Sequence, residues 1–463
     1  MRRLKLHHWI LISMALGAAV GLPMNWLGER GDLDPELVRS IAAGGKELGG
    51  IFLRLLQMLV VPLIVSSLIS GVTGMGDLRA LGRLGGRTIV FYLSTSALAI
   101  LTGVLLVNLL NPGAGADLGL LEAGAGAHAA PEVAASDHGL GAMLWEQLTS
   151  MIPKNPLQAA AEGDMLGIIF FSIVLGVFIS FVEHGKEAEG EEGEGPYRES
   201  DAPRDDEDAR HRKNAALVRR FWEGFFEVMM RMTLAVIQLA PIGVFGFMLY
   251  AAAGHGLSAF EALGMYALTV FIALCVHAFV TLPLILRVFG GHSPLAHAKA
   301  MTPALLTAFS TASSNGTLPL TMRCVEESGV PSRVGSFVLP LGATINMDGT
   351  ALYEVVAVLF IAQVYGMDLD LSQQLVVATT ALLASVGAAG IPHAGTVMMV
   401  VVLSAVGLPT TAVGLILAVD RILDMCRTTV NVWSDSAAAV VGGPRRRHPR
   451  RRKRVKNPLT IHT

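Results

Sequence analysis

Eight long apolar segments constrain the fold of this chain more than any other feature of its sequence. They cover residues 9–28, 48–74, 88–111, 165–183, 229–252, 262–287, 334–364 and 409–441. Segments of this length match or exceed the roughly 20 residues that an α-helix needs to cross the hydrocarbon core of a bilayer. Only 16% of the residues are charged, against about 25% in soluble domains. We therefore expect an all-α integral membrane protein with eight transmembrane helices.

The distribution of Lys and Arg predicts how these helices cross the membrane. Arg79, Arg83 and Arg87 lie between the second and third segments, whereas the connections 253–261 and 365–372 carry no Lys or Arg. Basic loops stay on the cytoplasmic side, so both termini are expected there. The first segment could also be interpreted as a signal peptide, but no clear cleavage site follows it, and we expect a retained helix.

Three stretches outside the spans differ in composition from the rest of the chain. Residues 112–160 are predicted to form an outer loop, and the acidic run within 184–212 is predicted to be solvated and disordered. The basic tail, 442–463, is expected to contact anionic lipid headgroups rather than nucleic acid, because it directly follows a span. The three cysteines have neither the spacing of metal ligands nor that of a disulfide framework.

Two further apolar stretches, near 296–325 and 373–408, are interrupted by small residues and proline. The first contains the run Ser313–Pro319 and the second the run Ser385–Pro392. Irregular backbone at membrane depth survives only where protein buries it or where it lines a wet cavity. Paired interrupted segments in the two halves of a chain indicate a transporter site. We therefore expect two re-entrant helical hairpins that meet near the midplane, the alternative being ordinary kinked spans.

The last span carries a polar stripe. Its members are Asp420, Asp424, Arg427, Asn431 and Asp435, spaced by four, three, four and four residues. At 100° per residue they occupy a sector of roughly 80° on one helix face. Each charge near the bilayer centre costs about 2.5–3.5 kcal/mol. The stripe must therefore face the protein interior and pair with ligands or with itself, and Arg421 lies just beside it.

The residue types on this stripe suit an acidic amino acid. Arg427 offers a planar fork for a carboxylate, and Asp424 can accept a hydrogen bond from an ammonium group. Asn431 can bond the main carboxylate or offer its oxygen to a cation, and Asp435 is a hard ligand suited to Na⁺. The alternative is an internal salt bridge between Asp424 and Arg427 with no ligand, which leaves Asn431 and Asp435 unexplained.

The seventh span contains a second group of polar residues, from Asn346 to Thr350, followed by Glu354. Glycine weakens a helix interior by about 1 kcal/mol relative to alanine, so Gly349 is expected to permit local unwinding that exposes carbonyl oxygens to a cation. Asp348 adds a charge to this group. Glu354 lies in an apolar run that disfavours a charged carboxylate, so it either carries a proton or is a neutral structural residue.

These motifs together closely resemble the dicarboxylate/amino acid:cation symporter family, which includes the glutamate transporters. The resemblance covers nearly the whole chain apart from 112–140, 184–212 and the tail. It implies a homotrimer of elevator-type transporters built from inverted repeats, with a static scaffold and a mobile transport domain. The implied division is scaffold helices in 1–87 and 161–252, and a transport domain formed by 88–111 and 253–441.

The resemblance also implies roles for individual residues. The implied substrate contacts are Ser313, Ser314, Thr350, Gly390, Asp424, Arg427, Thr428 and Asn431. The implied sodium ligands are Tyr92, Thr95, Ser96, Gly342, Thr344, Asn346, Asp348, Ser385, Val386, Asn431 and Asp435. Glu354 matches the position of a co-transported proton. Ala312 and Met425 depart from the family where relatives place a second arginine, which leaves affinity and coupling open.

The sequence therefore predicts a symporter in a bacterial inner membrane, with glutamate or aspartate as substrate. It predicts Na⁺ coupling, with H⁺ as an additional or sole coupling ion left open, and no prosthetic cofactor. A C4-dicarboxylate is the alternative substrate, but it offers no ammonium group to Asp424. An ion channel would use rings of like charge or a carbonyl filter. No HExxH or GxSxG motif indicates an enzyme.

Overall fold

The computed structural model describes residues 6–74, 82–116, 149, 152–162, 164–184, 202–386 and 394–443, and all regular structure within them is helical. In chain order the α-helices are α1 (Leu6–Glu29), α2 (Pro35–Thr73), α3 (Gly82–Leu110), α4 (Pro156–Glu162), α5 (Met165–His184), α6 (Ala202–Ile237), α7 (Ala240–Val276), α8 (Leu282–Ile285), α9 (Pro294–Thr311), α10 (Ser314–Glu327), α11 (Ser332–Ile345), α12 (Asp348–Val364), α13 (Leu371–Val386), α14 (Ala394–Ala405) and α15 (Val413–Gly442). Two π-helical segments, His277–Thr281 and Leu286–Gly290, flank α8, and a 3₁₀ turn, Thr410–Ala412, precedes α15.

Within the described residues, six helical stretches are long and apolar enough to cross a membrane. The prediction of an all-helical, multi-pass membrane protein is therefore confirmed. One of these stretches, Ala240–Gly290, is far longer than one crossing needs. It is interrupted at Gly256, whose φ of 59° and ψ of −139° are accessible to glycine but strained for other residues. The predicted fifth span, 229–252, is itself divided between α6 and α7.

The first layer of the fold consists of α1, α2 and α7, which approach one another through glycines. A Cβ at Gly17 of α1 would lie 2.8 Å from the Cβ of Met248 on α7. A Cβ at Gly45 of α2 would lie 2.8 Å from the carbonyl oxygen of Gly246 on α7. Small residues allow such close backbone contact, which increases van der Waals packing between membrane helices.

The second layer surrounds α12. All but one of its residues are buried, because it packs against α3, α13, α14 and α15. A helix that is apolar on all sides requires such a location. The chain leaves helical geometry just before it, at Asn346 (φ −94°, ψ 85°) and Met347 (φ −116°, ψ 56°). This break separates α11 from α12 and exposes backbone groups inside the protein.

Two pairs of short helices pack against this layer. α9 and α10 contact each other and are joined by Ala312, which adopts the left-handed conformation, and by Ser313, which caps α10. The side chain of Ser313 accepts a hydrogen bond from the Gly316 amide at 3.1 Å. α13 and α14 also contact each other, and the residues that join them, 387–393, lie outside the described part of the chain.

The prediction of disorder for 184–212 needs correction at its C-terminal end. Residues from Ala202 onward are helical and belong to α6, whereas 185–201 lie outside the described residues. The sequence explains the helix, because Asp206 and Asp208 precede Arg210 and Arg212 by four residues. Opposite charges with that spacing, and acidic residues near a helix N-terminus, both stabilise an exposed helix.

The contact between Gly45 and Gly246 predicts a clear difference between two neighbouring substitutions in α2. Gly45→Ala should destabilise the protein by about 1–3 kcal/mol, the usual cost of overpacking. Gly44→Ala is the matched control, because no atom would lie within 4 Å of its new Cβ. Both variants gain the same helix propensity, so their melting temperatures in one detergent isolate the packing effect. Equal melting temperatures would contradict the observed contact.

Candidate functional site

The guanidinium group of Arg427 is the centre of a buried ion cluster on α15. Its Nη1 donates to Oδ1 of Asp420 at 2.9 Å, and its Nη2 and Nε donate to Oδ1 of Asp424 at 2.9 and 3.2 Å. All three side chains are almost completely buried. Asp424 precedes Arg427 by about one helical turn and Asp420 precedes it by about two. The cluster therefore follows directly from the spacing of the stripe.

Neighbouring helices shape the space around this arginine. The ring of Tyr353 on α12 lies under the guanidinium, with its centroid 4.2 Å from Cζ. A Cβ at Gly395 of α14 would lie 2.8 Å from the same Cζ, so only a glycine leaves this room. Thr396, the next residue, donates a hydrogen bond to Oδ2 of Asp420 at 2.8 Å. α14 therefore fixes both the arginine and one of its partners.

Asn431 connects this cluster to the beginning of α12. Its Oδ1 accepts a hydrogen bond from the Gly349 amide at 2.7 Å, and its Nδ2 lies 3.2 Å from the hydroxyl oxygen of Thr350. The expectation that the helix unwinds at Gly349 is wrong, because the break lies at the two residues before α12. Gly349 instead allows α12 to approach α15, since a Cβ there would lie 2.6 Å from the carbonyl oxygen of Arg427.

Asp348 lies at the centre of a second polar cluster. Thr95 and Ser96 of α3 donate to its Oδ1 at 3.2 and 2.6 Å, and Ser434 of α15 donates to its Oδ2 at 2.6 Å. Nε2 of His277 lies 3.1 Å from the same Oδ2. Four side chains from three elements thus converge on one fully buried carboxylate.

Asp435 belongs to an adjoining group that includes Asn346, Gly342 and Tyr92. Nδ2 of Asn346 donates to Oδ1 of Asp435 at 2.9 Å. A Cβ at Gly342 would collide with the Asp435 carboxylate and lie 2.9 Å from the Tyr92 hydroxyl, which donates to the Val338 carbonyl at 2.7 Å. Oxygen atoms from α3, α11 and α15 therefore surround one small space.

The remaining predicted site residues are less closely connected. Ser314 and Thr428 are buried, and their helices α10 and α15 pack against each other. The hydroxyls of Thr344 and Ser385 donate to carbonyls of their own helices, at 3.0 and 2.8 Å. Gly390 lies outside the described residues. Val386 is the last residue of α13.

Glu354 occupies the interior of α12 and is completely buried. Neither of its carboxyl oxygens has a hydrogen-bond partner among the described residues. A charged carboxylate without partners is unfavourable at such a location.

Comparison with known proteins shows the family of this chain. The model of the sodium:dicarboxylate symporter family matches residues 6–443. The chain belongs to that family. It is 33% identical over 442 residues to the proton/sodium-glutamate symport protein of Bacillus caldotenax. The aligned region covers 95% of this chain and 94% of that protein.

Further relatives of this chain come from both bacteria and animals. The proton/glutamate-aspartate symporter of Escherichia coli (strain K12) is 33% identical over 436 residues, covering 93% of this chain and 91% of that protein. Excitatory amino acid transporter 4 of Mus musculus is 35% identical over 462 residues, and the aligned region covers 85% of this chain and 76% of that protein. The family resemblance that the motifs indicated is therefore confirmed, and the family is one of transporters rather than enzymes.

The sequence analysis did not identify several side chains that contribute to the clusters around Arg427 and Asp348. They are Asp420 as an ion-pair partner, Tyr353, Thr396, His277 and Ser434. The spacing of the stripe could have indicated Asp420, two turns before Arg427. The other contacts join distant segments, so no local pattern reveals them.

Proposed function

We propose that this protein is a secondary active symporter that imports glutamate or aspartate together with Na⁺. The observation that carries the proposal is the buried cluster in which Arg427 bonds to Asp420 and Asp424. An acidic amino acid contains the complementary set of charges, because its side-chain carboxylate matches the guanidinium and its ammonium matches a carboxylate. Asp420 and Asp424 hold the arginine in place until that ligand arrives.

The burial of these groups explains how selectivity arises. Ionic hydrogen bonds are stronger where water is excluded, and a charge left unpaired there is costly. A neutral amino acid would leave Arg427 with no additional carboxylate. A C4-dicarboxylate would offer no ammonium to Asp424, so we place it second. The relatives named as glutamate and glutamate-aspartate symporters also favour an acidic amino acid.

Two buried carboxylates support cation coupling. No Lys or Arg of the described chain pairs with Asp348 or Asp435, although each is almost completely buried. Hard oxygen ligands such as carboxylates, hydroxyls and carbonyls suit Na⁺ better than softer metals. We propose that Asp348, Thr95, Ser96, Asn346 and Tyr92 hold one Na⁺. Gly342, Asn346, Asn431 and Asp435 would hold a second one, and Thr344, Ser385 and Val386 a third.

The proposed architecture has eight spans, two re-entrant hairpins and both termini in the cytoplasm of a bacterial inner membrane. In it α9 with α10, and α13 with α14, would form the hairpins, and Ser313 and Ser314 would lie at the tip of the first one. The scaffold comprises 1–87 and 161–252, and the break at Gly256 lies close to its boundary with the transport domain. Three copies of the chain would form the trimer, in which each transport domain moves as an elevator.

Uptake by the purified protein in proteoliposomes tests this function directly. Labelled L-glutamate, L-aspartate and succinate would be offered under an inward Na⁺ gradient, an inward H⁺ gradient, or neither. The proposal requires accumulation of an acidic amino acid driven by Na⁺. Accumulation driven only by H⁺ would show that H⁺, and not Na⁺, is the coupling ion. Preference for succinate would show that the substrate is a dicarboxylate and not an amino acid.

Arg427→Cys should abolish the uptake of acidic amino acids. Removing one partner of a buried ion pair costs about 3–5 kcal/mol, so affinity should fall at least about 100-fold. The smaller side chain also leaves space that a neutral amino acid can fill. Equilibrium binding of L-glutamate and L-serine measures both effects. Unchanged glutamate affinity in a well-folded variant would contradict the role of Arg427.

Asp435→Asn should shift the Na⁺ dependence of binding and leave substrate discrimination nearly unchanged. The substitution preserves shape and removes the charge that we assign to a cation ligand, so half-saturation should require about tenfold more Na⁺. The measurement is a Na⁺ titration of L-aspartate binding, with Asp370→Asn in an exposed connection as the control. Overlapping titrations for wild type and Asp435→Asn would rule out this assignment.

Glu354→Gln should remove the pH dependence of uptake while Na⁺ and substrate binding persist. Glutamine imitates the protonated side chain but cannot release a proton on the inner side. Rates of uptake between mildly acidic and mildly alkaline pH, in wild type and variant, separate a proton carrier from a permanently neutral residue. Identical pH profiles would leave Glu354 as a structural side chain.

A further inference from the structure

Arg421 is a second buried arginine, for which the proposed function has no role. The residue is 8% exposed, and its Nη1 lies 3.4 Å from Oδ2 of Asp424. Its Nε is also buried and has no hydrogen-bond partner among the described residues. Leaving a donor of a charged group unpaired is costly. The unused Nε–H of Arg421 can therefore donate to a further hydrogen-bond acceptor in another state of the protein.

Asp424 lies between two guanidinium groups that contact it unequally. Arg427 reaches its Oδ1 at 2.9 Å, whereas Arg421 approaches Oδ2 through one longer contact of 3.4 Å. Together with Asp420 they form a set of two negative and two positive charges, so the cluster without substrate is neutral. An acidic amino acid has two carboxylates and one ammonium, so its net charge is −1, but its ammonium at Asp424 would bring a third positive charge next to Arg421. Repulsion between like charges at such distances then acts on the partner that is held least firmly, which is Arg421.

A cavity of about 680 Å³ lies next to Arg421 and borders α1, α6 and the start of α7. Trp9, Leu234 and Gln238 line it together with the arginine. The amide oxygen of Gln238 can accept a hydrogen bond from a guanidinium, and the indole of Trp9 can bind a cation on its face. The cavity thus offers both space and alternative partners to a displaced guanidinium.

We propose that Arg421 is a counter-ion that the ammonium group of the substrate displaces from Asp424, and that its guanidinium then moves into this cavity. The inference rests on the proposed function, because it requires an ammonium at Asp424. Arg421 keeps the empty cluster neutral and competes with every substrate that carries an amino group. It also links occupation of the site to the surface between α15 and helices α1 and α7.

Binding measurements on matched pairs of ligands test the displacement. L-aspartate and succinate share a carbon skeleton and differ in the amino group, as do L-glutamate and glutarate. The full-length protein in saturating Na⁺ would be compared with Arg421→Gln. Arg231→Gln is the control, because it removes an arginine from the exposed face of α6. We expect Arg421→Gln to bind the amino acid more tightly and to raise the affinity ratio of amino acid to dicarboxylate about threefold to tenfold.

A ratio that stays unchanged in Arg421→Gln, whether both ligands weaken equally or neither changes, would overturn the proposal. If that variant does not fold, Arg421→Lys should shift the ratio in the same direction by less, and an unchanged ratio again overturns it. Gln238→Leu should weaken binding of the amino acid but not of the dicarboxylate, because the displaced guanidinium loses a partner. If wild type binds none of these ligands, the proposed function itself fails; an unchanged ratio with normal wild-type binding refutes only the role of Arg421.

Discussion

The ion cluster of Arg427 with Asp420 and Asp424 is the interaction on which the rest of this structure depends. Removing each of these charges from water costs several kcal/mol, and only close pairing recovers that cost. The surrounding helices are arranged accordingly. Gly395 and Gly349 let α14 and α12 approach the arginine, and the ring of Tyr353 packs against its guanidinium. A buried cluster held at this cost by three helices is better explained by a ligand than by stability.

The same helix also brings the proposed substrate and cation sites together. Along α15, Arg427, Asn431 and Asp435 follow one another at intervals of about one turn. Asn431 bonds to the start of α12 through Gly349, and Asp435 bonds to Asn346 immediately before it. In the proposed mechanism, a cation that orders the break between α11 and α12 would also hold the residues that receive the substrate. These shared contacts would then couple the two sites.

Segment length and periodicity predicted the fold class and one contact of the candidate site. The apolar segments predicted a helical membrane protein, and the spacing of the stripe placed Arg427 and Asp424 in contact. Contacts between distant segments could not be predicted in this way. His277, for example, lies beside Asp348, which is 71 positions further along the chain. Gly349 was expected to unwind α12, because sequence alone cannot distinguish a glycine that breaks a helix from one that admits a neighbour.

A structure of the protein with Na⁺ and an acidic amino acid, determined by electron cryomicroscopy, would test the proposed substrate site most directly. We expect the side-chain carboxylate of the substrate to lie on the guanidinium of Arg427 and its ammonium to lie on Asp424. A map in which Arg427 still bonds to both Asp420 and Asp424, with the substrate bound elsewhere, would contradict it.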